Sequence, residues 1–327
     1  MNIKIPEDVL TYNRGLPQKI LFIIPYGSTL YGTTTKDSDL DLIAIYIPTK
    51  LEFVTNNTSQ LPKKKFVIED KIVEVDYINL FTLFHRFLKG ESLAIEVFSY
   101  LKVNKTEDYI SEFILEFGEN LQVIDVLPML QFANKNANFV RDKAERYNVL
   151  HSLLDWCGSK DPNDLVINRA DELKILLSGN TKYFRESPLI IAGKTIKKLL
   201  FVKDFQNHIK AQLGRYSDRT VSMYETGIDI RGTGHAIRQL YQIQDILTRG
   251  YIRFPLVKRD ILINIKTGKI SKEEIFKILT NELTETQSML TLIPRFFTLR
   301  QASKMSAEKF LESRGFPFLG KLYLSEN

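Results

Sequence analysis

The sequence is poor in cysteine and has no long apolar run. Its single cysteine, Cys157, excludes an internal disulfide and any zinc or iron–sulfur site built from several cysteines. One thiol in a chain of this length fits a reducing compartment. No segment approaches the roughly 20 apolar residues that a membrane-spanning helix needs, and the first residues lack the basic and apolar regions of a signal peptide. These absences predict a soluble, cytoplasmic protein.

The composition that remains is that of an ordinary globular protein. Of the 327 residues, 44% are hydrophobic and 26% are charged, which excludes a largely disordered or fibrous chain. The length allows two domains of about 100–200 residues each. Because 45 Lys and Arg residues outnumber 39 Asp and Glu residues, the net charge is +6. This mild excess permits a polyanionic partner without requiring one.

The first hundred residues have the pattern of a small α/β unit. Residues 19–24 and 40–47 are apolar runs typical of strands buried on both faces. In residues 71–78, apolar and acidic residues alternate, which indicates a third strand with one buried face. The segment between the second and third strands, including the lysines at 63–65, is predicted to be a solvent-exposed loop.

Helical spacing begins after the third strand. Apolar residues recur at helical intervals over residues 80–88, which predicts an amphipathic helix with Asn79 as its N-cap and Lys89-Gly90 as its end. The later chain is predicted to be mainly helical. The segments with helical spacing are 128–157, 169–178, 190–213, 233–249, 271–290 and 306–313.

A turn rich in glycine and hydroxyl residues separates the first two strands. Gly27 leaves room for a phosphate to approach the backbone, and Ser28 adds a hydroxyl donor. The turn therefore predicts a phosphate-binding site at the end of the first strand.

Acidic residues follow this turn. Asp39 and Asp41 stand two residues apart at the start of the second strand, so both side chains point to one face. Two carboxylates this close repel each other unless a cation lies between them, and Mg²⁺ is the hard cation that carboxylates share with substrate phosphates. A third carboxylate on the neighbouring strand, Asp76 or Glu74, would complete a two-metal site.

These features resemble the signature of the DNA polymerase β-like nucleotidyltransferase superfamily. That signature is a Gly-Ser turn, a short helix, a strand that opens with Asp-x-Asp and a third carboxylate on a later strand. Within the superfamily, the chain looks most similar to the predicted nucleotidyltransferases of bacteria and phages (YcgL-like). Their shared motifs appear here from Gly27 to Gly32, from Ser38 to Asp41, and from Lys89-Gly90 to Glu96.

A later segment resembles a second part of that family. Residues 231–240 resemble a Lys-x-x-x-His-x-x-Arg helix, with Arg231 in the place of the lysine. The spacing puts Arg231, His235 and Arg238 on one helical face. Such a cationic ridge suits a triphosphate or a nucleic-acid backbone. Residues 265–269 resemble the family's following Ile-x-x-Gly segment.

The resemblance implies a fold and a reaction. The expected fold class is α+β: a nucleotidyltransferase-fold mixed sheet with helices over residues 1–103, then a mainly α-helical domain over 104–327 that contributes to substrate binding. The implied reaction moves a nucleoside monophosphate from a nucleoside triphosphate such as ATP to a hydroxyl acceptor, releases pyrophosphate and uses two Mg²⁺ or Mn²⁺ ions. The acceptor is RNA (including tRNA), a protein or a small molecule, and no membrane partner is expected.

The resemblance also implies roles for single residues. Asp39, Asp41 and Asp76 are expected to be catalytic and to hold metal, with Glu74 as the alternative third acid. The residues expected to bind the nucleotide are Gly27, Ser28, Lys36, Ser38, Arg231, His235 and Arg238. A rival hypothesis is a non-catalytic nucleotide- or RNA-binding protein on the same fold, although such a binder has no need of two metal-binding acids.

Overall fold

The structure is a computed structural model of the chain. It describes residues 4–36, 38–55, 60–104, 108–119, 124–177, 183–185, 189–192, 194–197, 199–214, 229–293, 305–306, 308–315 and 317–318, with side chains at all of these except 136–145 and 194. The chain divides into two compact units. The first comprises residues 1–134 and 234–327, and the second comprises residues 135–233. Neither division between these units falls at the predicted domain boundary between residues 103 and 104. That boundary stays a prediction.

A four-stranded sheet organises the first unit. Its strands are β1 (Lys19–Tyr26), β2 (Leu40–Ile47), β3 (Lys64–Ile68) and β4 (Lys71–Asn79), and their order is β1-β2-β4-β3. Because β2 is antiparallel to β1 and parallel to β4, while β3 is antiparallel to β4, the sheet is mixed. The helices of this part are α1 (Glu7–Arg14), α2 (Gly27–Tyr31), α3 (Lys50–Val54), α4 (Leu80–Leu88), α5 (Ser92–Asn104) and α6 (Tyr109–Glu119).

Alternation along β2 and β4 gives the sheet two different faces. On one face, Val9 of α1 packs against alternate residues of the two strands: Leu42, Ala44 and Tyr46 from β2, and Val73, Val75 and Tyr77 from β4. The intervening residues point to the opposite face. There Ile43 and Ile45 are fully buried, and α4 packs against both strands. The alternation predicted for residues 71–78 is thereby confirmed.

The ends of α4 are as predicted. The Asn79 side chain accepts a hydrogen bond from the Thr82 amide at 2.7 Å, and the helix ends at Leu88 with Lys89 as its C-cap, followed by Gly90 with a φ of +68°. The prediction of a solvent-exposed loop between β2 and β4 is wrong in part. Residues 50–54 form α3, which begins with a capping box between Thr49 and Glu52, and the lysines at 64 and 65 belong to β3.

The second unit has a core of its own. It contains most of the helix α7 (Leu127–Gly158), together with α8 (Ala170–Leu176), α9 (Val202–Leu213) and the short antiparallel strands β5 (Phe184–Arg185), β6 (Ile190–Ile191) and β7 (Lys194–Thr195). The helix predicted over 190–213 is therefore wrong before residue 202. Ile191 and Ile196 are β-branched residues that suit strands and loops, and both enter the core shared by α7 and α9.

The described residues 308–315 are helical, and three named helices precede them. They are α10 (Ile230–Arg249), α11 (Arg259–Lys266) and α12 (Lys272–Thr291). All of α10 after residue 233 belongs to the first unit, with α11 and α12. The amide of Gly232 donates to the buried carboxylate of Asp229 at 2.8 Å, which supports the first turn of α10 despite its glycines. Within the described ranges, no helix is both long enough and apolar enough to span a membrane.

Candidate active site

The chain leaves β1 through a glycine turn that leads into α2. Gly27 has a φ of +58°, a conformation that L residues rarely adopt. A Cβ at this position would collide with Oδ2 of Asp41, because Tyr26 and Asp41 are paired across β1 and β2. Glycine is thus required at position 27 for its backbone and for space, and the Asp41 carboxylate lies directly against the turn.

The strand register gathers the predicted acids at one corner of the sheet. Asp41 pairs with Glu74, and Ile43 pairs with Asp76, across the parallel strands β2 and β4. Paired residues share a face, so the three carboxylates lie on the face opposite α1. Asp39 is exposed and precedes β2. The structure therefore brings together all four acidic residues that the sequence predicted.

Burial and the charged side chains at this corner shift the pKa of the Asp41 carboxyl. Burial raises the pKa of the Asp41 carboxyl, and the nearby negative charges of Glu74, Asp39 and Asp76 raise it further, whereas Lys63 opposes them. The ionised form of Asp41 is thus disfavoured by its carboxylate neighbours and stabilised by a cation. A corner of this kind favours a bound positive charge.

Two lysines of the β3 segment supply positive charge within the structure itself. Lys63 Nζ lies 2.5 Å from Glu74 Oε2 and 3.5 Å from Asp76 Oδ2, and Lys65 Nζ lies 2.5 Å from Glu74 Oε1. Both contacts lower the pKa of the Glu74 carboxyl, and the contact with Lys63 has the larger effect. Neither contact was predictable from the sequence, because both depend on how β3 pairs with β4.

The same carboxylates are candidate ligands for a metal ion. Among the described residues, no three His, Cys, Asp or Glu side chains lie close enough together to hold a metal ion. The donor set nevertheless fits a divalent cation at Asp39 and Asp41: both are carboxylates, Asp41 lies directly against the glycine turn, and the raised pKa of Asp41 marks a place where positive charge is stabilising. A third ligand is not in place beside them.

Arg238 reaches the glycine turn from α10. Its guanidinium carbon lies 4.2 Å from the centroid of the Tyr31 ring, at the end of α2, which is a cation–π contact. Solvent does not reach its Nε, and this atom has no hydrogen-bond partner among the described residues. His235 is exposed one turn earlier on the same helix. Arg231 is exposed and belongs to the second unit, and its role stays a prediction.

A buried carboxylate holds the same region together. Glu96 of α5 is 0% exposed. It accepts hydrogen bonds from the Tyr31 hydroxyl at 3.0 Å, the Ser92 hydroxyl at 2.8 Å and the Gln242 amide at 2.8 Å. Burial raises the pKa of Tyr31 well above its usual value, which keeps the phenol protonated as a donor. Glu96 therefore ties α2, α5 and α10 to one another.

The loop between α2 and β2 receives a second basic side chain. Ser38 Oγ accepts hydrogen bonds from the Thr35 amide at 2.9 Å and from Lys266 Nζ at 2.8 Å. Ser38 thus closes a turn beside Asp39, and Lys36 is exposed on the same loop. Lys266 was not singled out from the sequence. Its only signal there was the resemblance of residues 265–269 to a family segment.

Late residues also pack against the end of α2. Gly32 has a φ of +73°, and a Cβ there would lie 2.6 Å from Pro255 Cβ and 3.1 Å from Arg259 Cδ. The amide of Leu256 donates to the Tyr31 carbonyl at 3.1 Å. The end of α2 is therefore packed by residues from late in the chain.

Comparison with known proteins agrees with this geometry. The family model of the nucleotidyltransferase domain matches residues 7–116, which hold the four-stranded sheet, the glycine turn and the acidic corner. An uncharacterized 38.9 kDa protein from the nrdC-mobD intergenic region of Enterobacteria phage T4 is 21% identical over 303 residues, covering 81% of this chain and 88% of that protein. No solved structure matches the chain. The mixed sheet followed by helices confirms the predicted α+β fold class, and residues 7–116 form a nucleotidyltransferase domain of the DNA polymerase β-like superfamily.

Proposed function

We propose that the chain transfers a nucleoside monophosphate from a nucleoside triphosphate to a hydroxyl acceptor. The observation that carries this proposal is the Asp41 carboxylate held directly against Gly27, with Asp39 two residues before it. A phosphate that approaches the open backbone of this turn meets the carboxylates at once, as an enzyme that shares a cation between protein and triphosphate requires.

The reaction balances as follows. The acceptor oxygen forms a bond to the α-phosphorus, the bond from that phosphorus to the oxygen bridging it to the β-phosphate breaks, and pyrophosphate leaves with the electron pair. Asp39 and Asp41 would hold Mg²⁺ or Mn²⁺, which would act as a Lewis acid and neutralise charge on the phosphates. We assign the acceptor side to Asp76, whose carboxylate accepts the proton of the attacking hydroxyl.

Asp76 is preferred to Glu74 as the third acid because of their surroundings. The Glu74 side chain is 14% exposed and is paired with two lysines, whereas the Asp76 side chain is 44% exposed and has the longer contact to Lys63. Asp76 is therefore the freer of the two to face a substrate. Glu74 acts in this proposal by holding Lys63 and Lys65.

The phosphate side of the site is assigned to the turn and to basic residues around it. Gly27 and Ser28 receive the β- and γ-phosphates, and Arg238, whose guanidinium lies over the Tyr31 ring at the end of α2, contributes positive charge near them. Lys36, Ser38 and His235 remain nucleotide-binding predictions on the surrounding loop and helix. Lys266, which donates a hydrogen bond to Ser38, is a further candidate to bind phosphate.

Label transfer tests this function. The chain is incubated with Mg²⁺ or Mn²⁺, with each of four NTPs labelled either at the α- or at the γ-phosphate, and with RNA, protein and small-molecule acceptors. We expect α-label and no γ-label on one acceptor class. Transfer of γ-label would show a kinase instead. Binding of NTP without transfer of either label would favour the non-catalytic alternative.

A further inference from the structure

Lys63 lies where a two-metal site would place positive charge. Its ammonium is 2.5 Å from Glu74 and 3.5 Å from Asp76. No other described lysine or arginine contacts Asp76. The side chain thus sits among the acids on the β4 side of the corner, away from Asp39.

The sheet itself directs Lys63 to this place. In the antiparallel pair of β3 and β4, Lys64 is opposite Val75 and Lys65 is opposite Glu74. One residue earlier, the chain brings position 63 beside Asp76, and alternation turns the side chains of Lys63 and Lys65 to the acidic face. Lys64 points to the other face, where its ammonium lies over the Tyr12 ring at 4.9 Å.

Glu74 holds the ammonium at that place. Its side chain is 14% exposed, and its two oxygens are divided between the two lysines, Oε2 with Lys63 and Oε1 with Lys65. A carboxylate engaged on both oxygens has little capacity left for a metal ion. A cation that approached Asp76 would in turn meet the positive charge of Lys63 at short range.

We propose that Lys63 supplies the positive charge on the acceptor side in place of a second divalent cation. The protein then binds a single divalent ion, at Asp39 and Asp41, and Glu74 is a positioning residue for Lys63. This inference rests on the proposed function and departs from the two ions that the family resemblance implies.

Counting bound Mn²⁺ by electron paramagnetic resonance tests the inference without measuring activity. The full chain is titrated with Mn²⁺ in the presence of α,β-methylene-ATP. We expect one bound ion in the wild type. In Lys63→Met we expect a second ion, bound at least about tenfold more tightly than any second ion in the wild type, since removal of a cation beside two carboxylates opens that position.

Two variants serve as controls. Lys65→Met removes the same charge and the other contact of Glu74, and it should keep one ion. Lys63→Arg keeps the charge and should also keep one ion. Far-UV circular dichroism checks that each variant is folded.

The outcomes separate the two proposals. Two tightly bound Mn²⁺ ions in the wild type would overturn the role of Lys63 and leave the proposed function standing, whatever the variants do. A Lys63→Met protein that is folded and still binds one ion would also overturn it. A wild type that binds neither Mn²⁺ nor the nucleotide analogue would contradict the proposed function as well.

Discussion

At the scale of single residues, the site depends on the close approach of Asp41 to Gly27. The backbone of position 27 has a positive φ, and the space above it is taken by a carboxylate from the neighbouring strand. Gly27 thus provides both a turn whose backbone a phosphate can approach and the space for the Asp41 carboxylate. Substitution of either partner should affect the chemistry more than the fold.

We expect Asp39→Asn combined with Asp41→Asn to lower nucleotidyl transfer at least about 100-fold, because the charges that hold the cation are removed. The melting temperature should not fall, since the substitution relieves repulsion among the acids. Label transfer and thermal unfolding are measured together. Asp70→Asn is the matched control: it makes the same chemical change in an exposed turn where φ is +62°, which asparagine tolerates. Full activity in the double variant would contradict the assignment.

Gly27→Ala tests the turn itself. We expect a loss of about 1–2 kcal/mol in unfolding free energy from the positive φ, and in addition a loss of transfer activity because the new Cβ displaces Asp41. Gly250→Ala separates the two effects, since Gly250 has a φ of +80° and nothing within 4 Å of a Cβ. Urea denaturation and label transfer are compared for both. Equal activity in the two variants would argue against contact between Asp41 and the turn.

At this scale the sequence was informative where the pattern is local. Gly27, Asp39 and Asp41 lie within one turn and the start of one strand, so their spacing was enough to predict a shared site. The roles of Lys63 and Lys266 were not predictable in this way. Their contacts depend on the pairing of β3 with β4 and on a hydrogen bond that joins residues 38 and 266.

At the scale of elements, the buried carboxylate of Glu96 connects α2, α5 and α10. Each of its three hydrogen bonds comes from a different side chain: Tyr31, Ser92 and Gln242. A helix that carries Arg238 is thereby fixed against the helix that follows Gly27. The position of the arginine over Tyr31 is a consequence of this network and of the packing of α10.

We expect Glu96→Ala to lower the unfolding free energy by about 3 kcal/mol, because two buried donors and one half-buried donor lose their acceptor. Glu96→Gln should cost less, since it retains one carbonyl oxygen. The free energies come from urea titrations followed by circular dichroism. Glu112→Ala, on the exposed side of α6, provides the reference and should change the free energy by less than about 0.5 kcal/mol. A comparable change at both positions would contradict the network.

Some helices and strands were predicted correctly from the sequence and others were not. The helix α4 matched its prediction at both ends because a cap and a glycine mark them. The helix predicted from residue 190 was wrong because isolated apolar residues fit a strand as well as a helix over so short a distance. β3 was missed because its lysines resemble a solvated loop until Glu74 is seen to face them.

At the scale of the whole molecule, the chain forms two compact units, and the first is built from both ends of the sequence. The residues after 233 return to the sheet unit with α10, α11 and α12, and in the sequence only the resemblance that assigned His235 and Arg238 to the nucleotide site pointed to this return. The second unit has a separate core that includes the single cysteine. The thiol therefore reports on the second unit alone.

Burial raises the pKa of the Cys157 thiol to about 11. We expect its reaction with Ellman's reagent at pH 8 to be about 100-fold slower in the native protein than in urea, because both the thiolate fraction and access to it are reduced. The rates are followed by absorbance. Similar native and unfolded rates would show that the core around Cys157 is open.

The central claim is that a triphosphate and a divalent cation meet at Gly27, Asp39 and Asp41. A crystal structure of the wild type with α,β-methylene-ATP and Mn²⁺, with anomalous scattering to locate the metal, tests this most directly. We predict the β- and γ-phosphates against Gly27 and Ser28, with Mn²⁺ bound by both aspartates. A nucleotide bound elsewhere, or Mn²⁺ density away from Asp39 and Asp41, would contradict the account.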